Sequence, residues 1–281
     1  MHSPINAGHH RAPTMNRRTF LPLTAGALLA GALWPGRLRG ADNGQGGAFS
    51  FVAINDVHFS TPQCPGWMER VAASIKVLTP TPELCLMIGD LGQDGKPTEL
   101  RPMRDALRGF GMPFHTVLGN HDYVSDTDRA PYEELFPGKL NYHFEHRGWQ
   151  FVALDTTFGT KFDKTNVQPA TFSWLDEKLP TLKPALPTVL FTHFPLGTAV
   201  PMRPLNADAV LARFKDVNLV VVLNGHHHGF TERTRGATML TTNRCCSISK
   251  GNHDGTKEKG YFVCTVADGK LERRFVEVTP G

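Results

Sequence analysis

Five short pieces of the 281-residue sequence carry side chains that bind transition metals or move protons. They are Asp56-Val57-His58, Gly89-Asp90, Gly119-Asn120-His121-Asp122, the lone His193, and Gly225-His226-His227-His228. Carboxylates and imidazoles in one set suit Mn, Fe or Zn, whereas an all-oxygen set would favour Mg or Ca and clustered thiolates structural Zn. In an extended segment, side chains two apart point the same way. Asp56 and His58 can then serve one ion, and His226 and His228 can present parallel imidazoles. Singly, each piece is weak. Asp-x-His is usually a surface loop, and Gly-Asp a turn in which glycine permits positive φ and aspartate caps the backbone. A lone histidine is more often a satisfied core residue than a ligand, and 226–228 reads equally as a solvated run. Five such pieces in one order, each directly behind an apolar run, point to metal-assisted hydrolysis.

The apolar runs supply the positioning elements. Phe49–Ile54, Leu84–Ile88, Phe114–Leu118, Phe151–Leu154, Thr188–Phe191 and Leu219–Leu223 are short and rich in β-branched or aromatic residues, the pattern of buried strands. Helical patterns at Trp67–Leu78, Thr98–Arg108, Ala170–Leu179 and Ala207–Phe214 fall between them, which is the alternation of an α/β fold. Ala237–Thr242, Tyr261–Val266 and Leu271–Val278 read as antiparallel strands closing a second sheet. Tyr132–Phe144 reads as an irregular insertion near the site, and Gly251–Lys259 as a mobile surface loop.

As a set, these motifs resemble the calcineurin-like metallophosphoesterases, whose series is DxH, GD, GNH(D/E), a lone H and GHxH. The resemblance runs from Phe49 to about Val278. It implies a four-layer α/β/β/α sandwich, with two mixed sheets flanked by helices, and a site at one end of both sheets. It implies two divalent or trivalent transition-metal ions (Mn, Fe or Zn): Asp56, His58 and His228 hold one, Asn120, His193 and His226 the other, and Asp90 bridges both. His121 is then the catalytic residue reaching the substrate, a small phosphoester attacked by a metal-bridging hydroxide. The sequence has no P-loop and no GxSxG, in keeping with direct attack by water.

Departures narrow the group. Serine/threonine phosphatases continue GD as GDxVDRG, whereas this chain reads Gly89-Asp90-Leu91-Gly92-Gln93-Asp94. Gln93 or Asp94 must then orient His121. Purple acid phosphatases would carry tyrosine at position 93, and 5′-nucleotidases a large C-terminal domain. What remains is similar to the bacterial cyclic-nucleotide phosphodiesterase-like group, with phosphodiesters and phosphomonoesters both open. A second Gly-Asn-His-Asp at 251–254 lies in a polar stretch after the other motifs, so His253 reads first as a loop residue and second, because this loop closely follows the GHxH strand, as one facing substrate. The alternative from another class is a non-catalytic metal-binding or scaffolding protein on the same fold, which should lack some of the ligands.

Asn16-Arg17-Arg18-Thr19-Phe20-Leu21 followed by the apolar run Leu21–Trp34 looks like a Tat export signal. The run falls short of the ~20 residues of a membrane span and is broken by Gly and Pro. Residues 1–48 are therefore expected to be a leader and linker, and 49–281 a metallophosphoesterase domain, exported by the Tat machinery to a periplasmic or other extracytoplasmic location without stable membrane insertion. The formal charge of +4 includes five leader arginines, Arg11, Arg17, Arg18, Arg37 and Arg39, which leaves the remainder near neutral and gives duplex nucleic-acid binding no support. Five cysteines without CxxC spacing argue against a disulfide framework, with Cys85 and Cys264 reading as small core residues.

Overall fold

Phe51 and Ala53 of the first apolar run face one way and Val52 and Ile54 the other, and all four are buried. Such a strand can lie only between two covering layers. The computed structural model describes residues 47–197 and 199–280. The order is β1 (Phe49–Ile54), α1 (Cys64–Lys76), β2 (Leu84–Ile88), α2 (Pro97–Arg108), β3 (Phe114–Val117), α3 (Ala130–Leu135), β4 (Tyr142–His146), β5 (Trp149–Leu154), α4 (Pro169–Lys178), β6 (Thr188–Thr192), α5 (Ala207–Arg213), β7 (Leu219–Asn224), β8 (Thr231–Arg235), β9 (Thr238–Thr242), β10 (Gly260–Ala267) and β11 (Lys270–Glu277).

The strands form two mixed sheets, ordered β11-β10-β1-β2-β3 and β4-β5-β6-β7-β9-β8. Between them Phe51, Ala53, Leu86, Ile88, Phe151, Val189, Phe191, Val221 and Leu223 make one core. The opposite face of the first sheet, with Val52, Ile54 and Met87, packs on Trp67, Met68, Val71 and Ile75 of α1 and Leu100, Met103 and Leu107 of α2. Those helical residues recur every three or four positions, the spacing of a single buried stripe. Val152, Leu154, Leu190 and Val222 of the second sheet pack likewise on Leu175 of α4 and Val210 and Leu211 of α5. The architecture is the expected α/β/β/α sandwich. All five cysteines are buried and unpaired, Cys85 and Cys264 within strands.

Three expectations require correction. Of the last three strands only β9 enters the second sheet, where it runs parallel to β7. β10 and β11 join the first sheet, β10 antiparallel to β1. The reason lies in burial: Phe262 and Cys264 face the core between the sheets, Tyr261 and Val263 face the α1 layer, and the free edge of β1 offers both faces at once. Second, the stretch from Tyr132 to Phe144 is mostly regular, holding the end of α3 and the start of β4. Third, β8 (Thr-Glu-Arg-Thr-Arg) escapes a hydrophobicity reading because it is a largely exposed edge strand. The leader expected over 1–48 lies outside the described residues except for its last two. Among the described residues no helix is long and apolar enough to cross a membrane.

Candidate metal centre

β1, β2 and β3 run parallel, as do β6 and β7, so their carboxyl ends bring Asp56, Asp90, Asn120-His121, His193 and His226-His228 to one end of the sandwich. The chain does not stay extended there. Asp56, His58, Asp90, His226 and His228 have φ between 49° and 63°. Strand alternation, the reason the sequence offered for pairing Asp56 with His58 and His226 with His228, therefore does not describe these segments. A left-handed residue turns the chain sharply, and the turn, not the pleat, aims these side chains inward. Such a conformation costs about 1–2 kcal/mol per non-glycine residue, a strain found where a site over-determines the backbone. Backbone bonds hold the turns: Asp56 N donates to Gly89 O (3.1 Å), His58 N to Asp90 O (3.0 Å) and Gly225 N to His193 O (3.0 Å). Gly89 (φ 74°) is required as well, because a Cβ there would lie 2.6 Å from Cγ of His193.

The side chains converge in two groups sharing one aspartate: Asp56, His58, Asp90 and His228, and Asp90, His193 and His226. Ligand atoms each about 2.1 Å from a tetrahedral ion sit about 3.4 Å apart. In the first group, His58 Nε2 is 3.1 Å from His228 Nε2, His228 Nε2 is 3.3 Å from Asp56 Oδ1, and His58 Nε2 is 3.5 Å from Asp90 Oδ2. In the second, His193 Nε2 is 3.3 Å from Asp90 Oδ1 and 3.2 Å from Asn120 Oδ1. His226 gives its Nε2 to the carbonyl of Phe162 (2.7 Å), which leaves Nδ1 for an ion. His193 is set by Nδ1 on Ile88 O (3.2 Å), the outer contact that fixes which nitrogen a histidine ligand presents. All of these side chains are buried.

Two fully buried aspartates this close demand positive charge. Burial pushes Asp56 up, but His228 and His193 outweigh it and hold the carboxyl below its ordinary value. Asp90 is held well below in the same way, burial being overcome chiefly by His193 and His58. In return, and against burial, Asp90 and Asp56 raise His193 to about 9, and Asp56 raises His228 to about 11. Burial drives His58 down to about 3 and His226 to about 4, leaving them as neutral donors. Anionic oxygens, the neutral imidazoles of His58 and His226, and those of His193 and His228 once an ion displaces their protons fit transition-metal cations at these separations.

His121 is half-buried and sits beside the carboxylates without joining either group; its backbone N donates to Asp90 Oδ1 (3.0 Å). Its Nδ1 meets the Gln93 carbonyl at 2.8 Å and the Gln93 amide nitrogen at 3.2 Å. Only the carbonyl can accept, so Nδ1 carries the proton and Nε2 is left free. Of the two candidates for this task Gln93 is the one in contact, through its backbone, whereas Asp94 pairs with Lys96 (2.7 Å). Asp122 ties the loops together by accepting from Gly92 N and Gly119 N, both at 2.9 Å.

The lining residues not assigned to the site from the sequence, Phe162, Met202, Lys250 and Gly251, come from three separate stretches of the chain. A cavity of about 240 Å³ over the centre is lined by His58, Asp90, His121, His226 and His228, and also by Phe162, Met202, Lys250, Gly251 and His253. His253 is therefore a wall of the site. Its N donates to His228 O (2.9 Å), and its ring centroid lies 5.5 Å from that of His228. The Gly251–Lys259 loop, expected to be mobile, is anchored: Asp254 accepts from Phe230 N (2.9 Å) and Arg244 Nε (3.0 Å), and buried Lys259 donates to Lys250 O (2.5 Å), Asn252 Oδ1 (3.3 Å) and Cys245 Sγ (3.1 Å). No periodicity marks such a wall; the one signal was a second Gly-Asn-His-Asp close behind the last motif.

A calcineurin-like phosphoesterase profile matches residues 49–230. A probable cyclic nucleotide phosphodiesterase of Synechococcus sp. is 28% identical over 204 residues, 67% of this chain and 77% of its own length. A glycerophosphodiester phosphodiesterase of Enterobacter lignolyticus is 26% identical over 216 residues, 67% of this chain and 74% of its own. A purple acid phosphatase from yellow lupin shares the fold, with a TM-score of 0.59 at 12% identity over 83% of this chain and 52% of that one. With the motifs in order, the sandwich in place and the donors gathered at the strand ends, the chain belongs to the calcineurin-like phosphoesterase family and is a metal-dependent phosphoesterase.

Proposed function

We propose that the protein hydrolyses a phosphodiester, a cyclic nucleotide among the candidates, by attack of water at a centre of two transition-metal ions. The observation that carries this reading is the pair of buried donor groups that meet at Asp90. Asp56, His58 and His228 would hold one ion, Asn120, His193 and His226 the other, and Asp90 both. Bound there, the ions would supply an acidified water and a clamp on the phosphoryl oxygens. Asn120 completes its group without adding negative charge where a phosphate must approach. His121, its Nδ1 proton held by Gln93 O, turns Nε2 toward the substrate, and with a second proton on Nε2 the ring would pass that proton to the leaving oxygen. The names of the two relatives, one acting on cyclic nucleotides and one on glycerophosphodiesters, support a diester.

We further place the mature protein outside the cytoplasm, on the strength of Arg17-Arg18 and the apolar run behind them. Replacing both arginines by lysine should leave the protein in the cytoplasm, and unchanged export would refute the assignment.

The test of the activity is hydrolysis of bis-p-nitrophenyl phosphate by the purified protein with Mn²⁺ or Fe²⁺. Asp90→Ala should lose metal and activity together. His121→Ala should keep its metal while turnover falls by about 10²–10⁴-fold. Equal loss of metal in both variants would overturn the role given to His121.

A further inference from the structure

Two cavities flank His121. The one over the donor groups is lined by Lys250 and His253 as well, and the other, of about 370 Å³, is lined by Gln93, Asp94, Lys96, Asn120, His121, Tyr123, Val124 and Thr160. A diester bound between them has one arm for each. Their charges differ. Lys96 is already neutralised by Asp94 at 2.7 Å. Lys250 is half-buried, and among the described residues its ammonium has no carboxylate within ion-pair distance. The acid nearest in sequence, Asp254, is taken by Arg244 Nε and Phe230 N.

The backbone here is built to keep Lys250 in place. Lys259, 8% exposed, has no carboxylate partner among the described residues and donates to the carbonyl of Lys250 itself and to Asn252 Oδ1. Asn252 Nδ2 closes the loop on Glu258 O (2.8 Å), and His253 N ties it to His228 O. Burying an ammonium without a carboxylate is costly, so a loop that accepts that cost has its conformation strongly specified. Beside Lys250, the His253 imidazole adds a hydrogen-bonding group on the same wall.

We propose that Lys250 and His253 form a subsite for a second anionic group, so that the preferred substrate is a phosphodiester with a carboxylate or phosphate on the arm that enters this cavity. The proposal rests on the phosphodiester reading above. Lys250 lines the same cavity of about 240 Å³ as the donor groups, so a substituent a few bonds from a phosphoryl group bound there would come within its reach. With its ammonium half-shielded from water, the pairing is worth about a fivefold preference or somewhat more.

The experiment compares p-nitrophenyl butyl phosphate with p-nitrophenyl 3-carboxypropyl phosphate on the metal-loaded protein. In parallel, calorimetry measures binding of propylphosphonate and 3-phosphonopropionate. The wild type should show a lower KM for the carboxylate ester and bind 3-phosphonopropionate about fivefold tighter than propylphosphonate. Lys250→Met should bring both ratios to about one with metal content unchanged; His253→Ala should reduce them in part. Equal binding of the two phosphonates by wild type, or a preference that survives in Lys250→Met, would overturn the subsite. Calorimetric preference without hydrolysis of either ester would support the subsite and sink the activity reading instead.

Discussion

Gly225 opens the last motif, and the space its missing side chain leaves is already taken. A methyl group at this position would stand 2.7 Å from Asp56 Oδ2, 2.9 Å from Ile88 O and 3.2 Å from Asn55 Cβ. Ordinary carbon–oxygen contacts lie near 3.3 Å, so Gly225→Ala must push the Asp56 carboxylate or the 225–228 turn by about 0.6 Å. The carboxylate has nowhere to go. His226 N donates to both of its oxygens (3.1 and 3.0 Å), and Asn55 Nδ2 holds Oδ2 at 2.5 Å. A metal site tolerates displacements of about 0.5 Å in its donors, and forced overpacking costs about 1–3 kcal/mol. The variant should therefore melt about 2–12 °C lower and retain much less metal by elemental analysis, with turnover falling in proportion. Gly66→Ala is the matched control. It lies within α1 with open space around its Cβ position, so it should be neutral or stabilising by up to about 1 kcal/mol. A Gly225→Ala protein with wild-type metal content and turnover would refute the claim that this glycine exists to make room for Asp56.

Gln93→Ala should cost less than about tenfold in kcat with metal content unchanged, because the backbone carbonyl that holds His121 Nδ1 remains; a loss beyond a hundredfold would transfer the role to the side-chain amide. Lys259→Met removes the donor that joins Lys250 O, Asn252 Oδ1 and Cys245 Sγ. It should cost about 1–3 kcal/mol and speed hydrogen exchange at the His253 amide, and unchanged exchange would show that the loop is held by other means. Chelation should depend on pH. Asp90 and Asp56 hold a proton on His193 up to about 9, and Asp56 one on His228 up to about 11, each against burial. Loading metal must displace those protons, so affinity falls as pH falls. Removal of metal by a chelator should be faster near pH ~6 than near pH ~8, and the reverse order would exclude these imidazoles as ligands.

The sequence by itself determined the central strands, the helices between them and the residues gathered at the strand ends. Runs such as Phe49–Ile54 and Leu219–Leu223 are apolar on both faces, and a strand of that kind has only one environment open to it, the interior of a layered α/β fold. The motifs were readable because each follows its run directly and because glycine and aspartate mark sharp turns. Three things were decided only by the tertiary structure. The sheet that β10 joins depended on which strand edge stood open, a property of the assembled sandwich. β8 is polar and lies at an edge, so nothing local distinguishes it from a loop. The wall formed by Lys250 and His253 depends on bonds from Lys259, Asp254 and His228 that span up to 25 positions in the chain. Periodicity reports which face of an element is buried. It carries no information on where a polar loop is tied down, because that is set by hydrogen-bond partners the fold brings together.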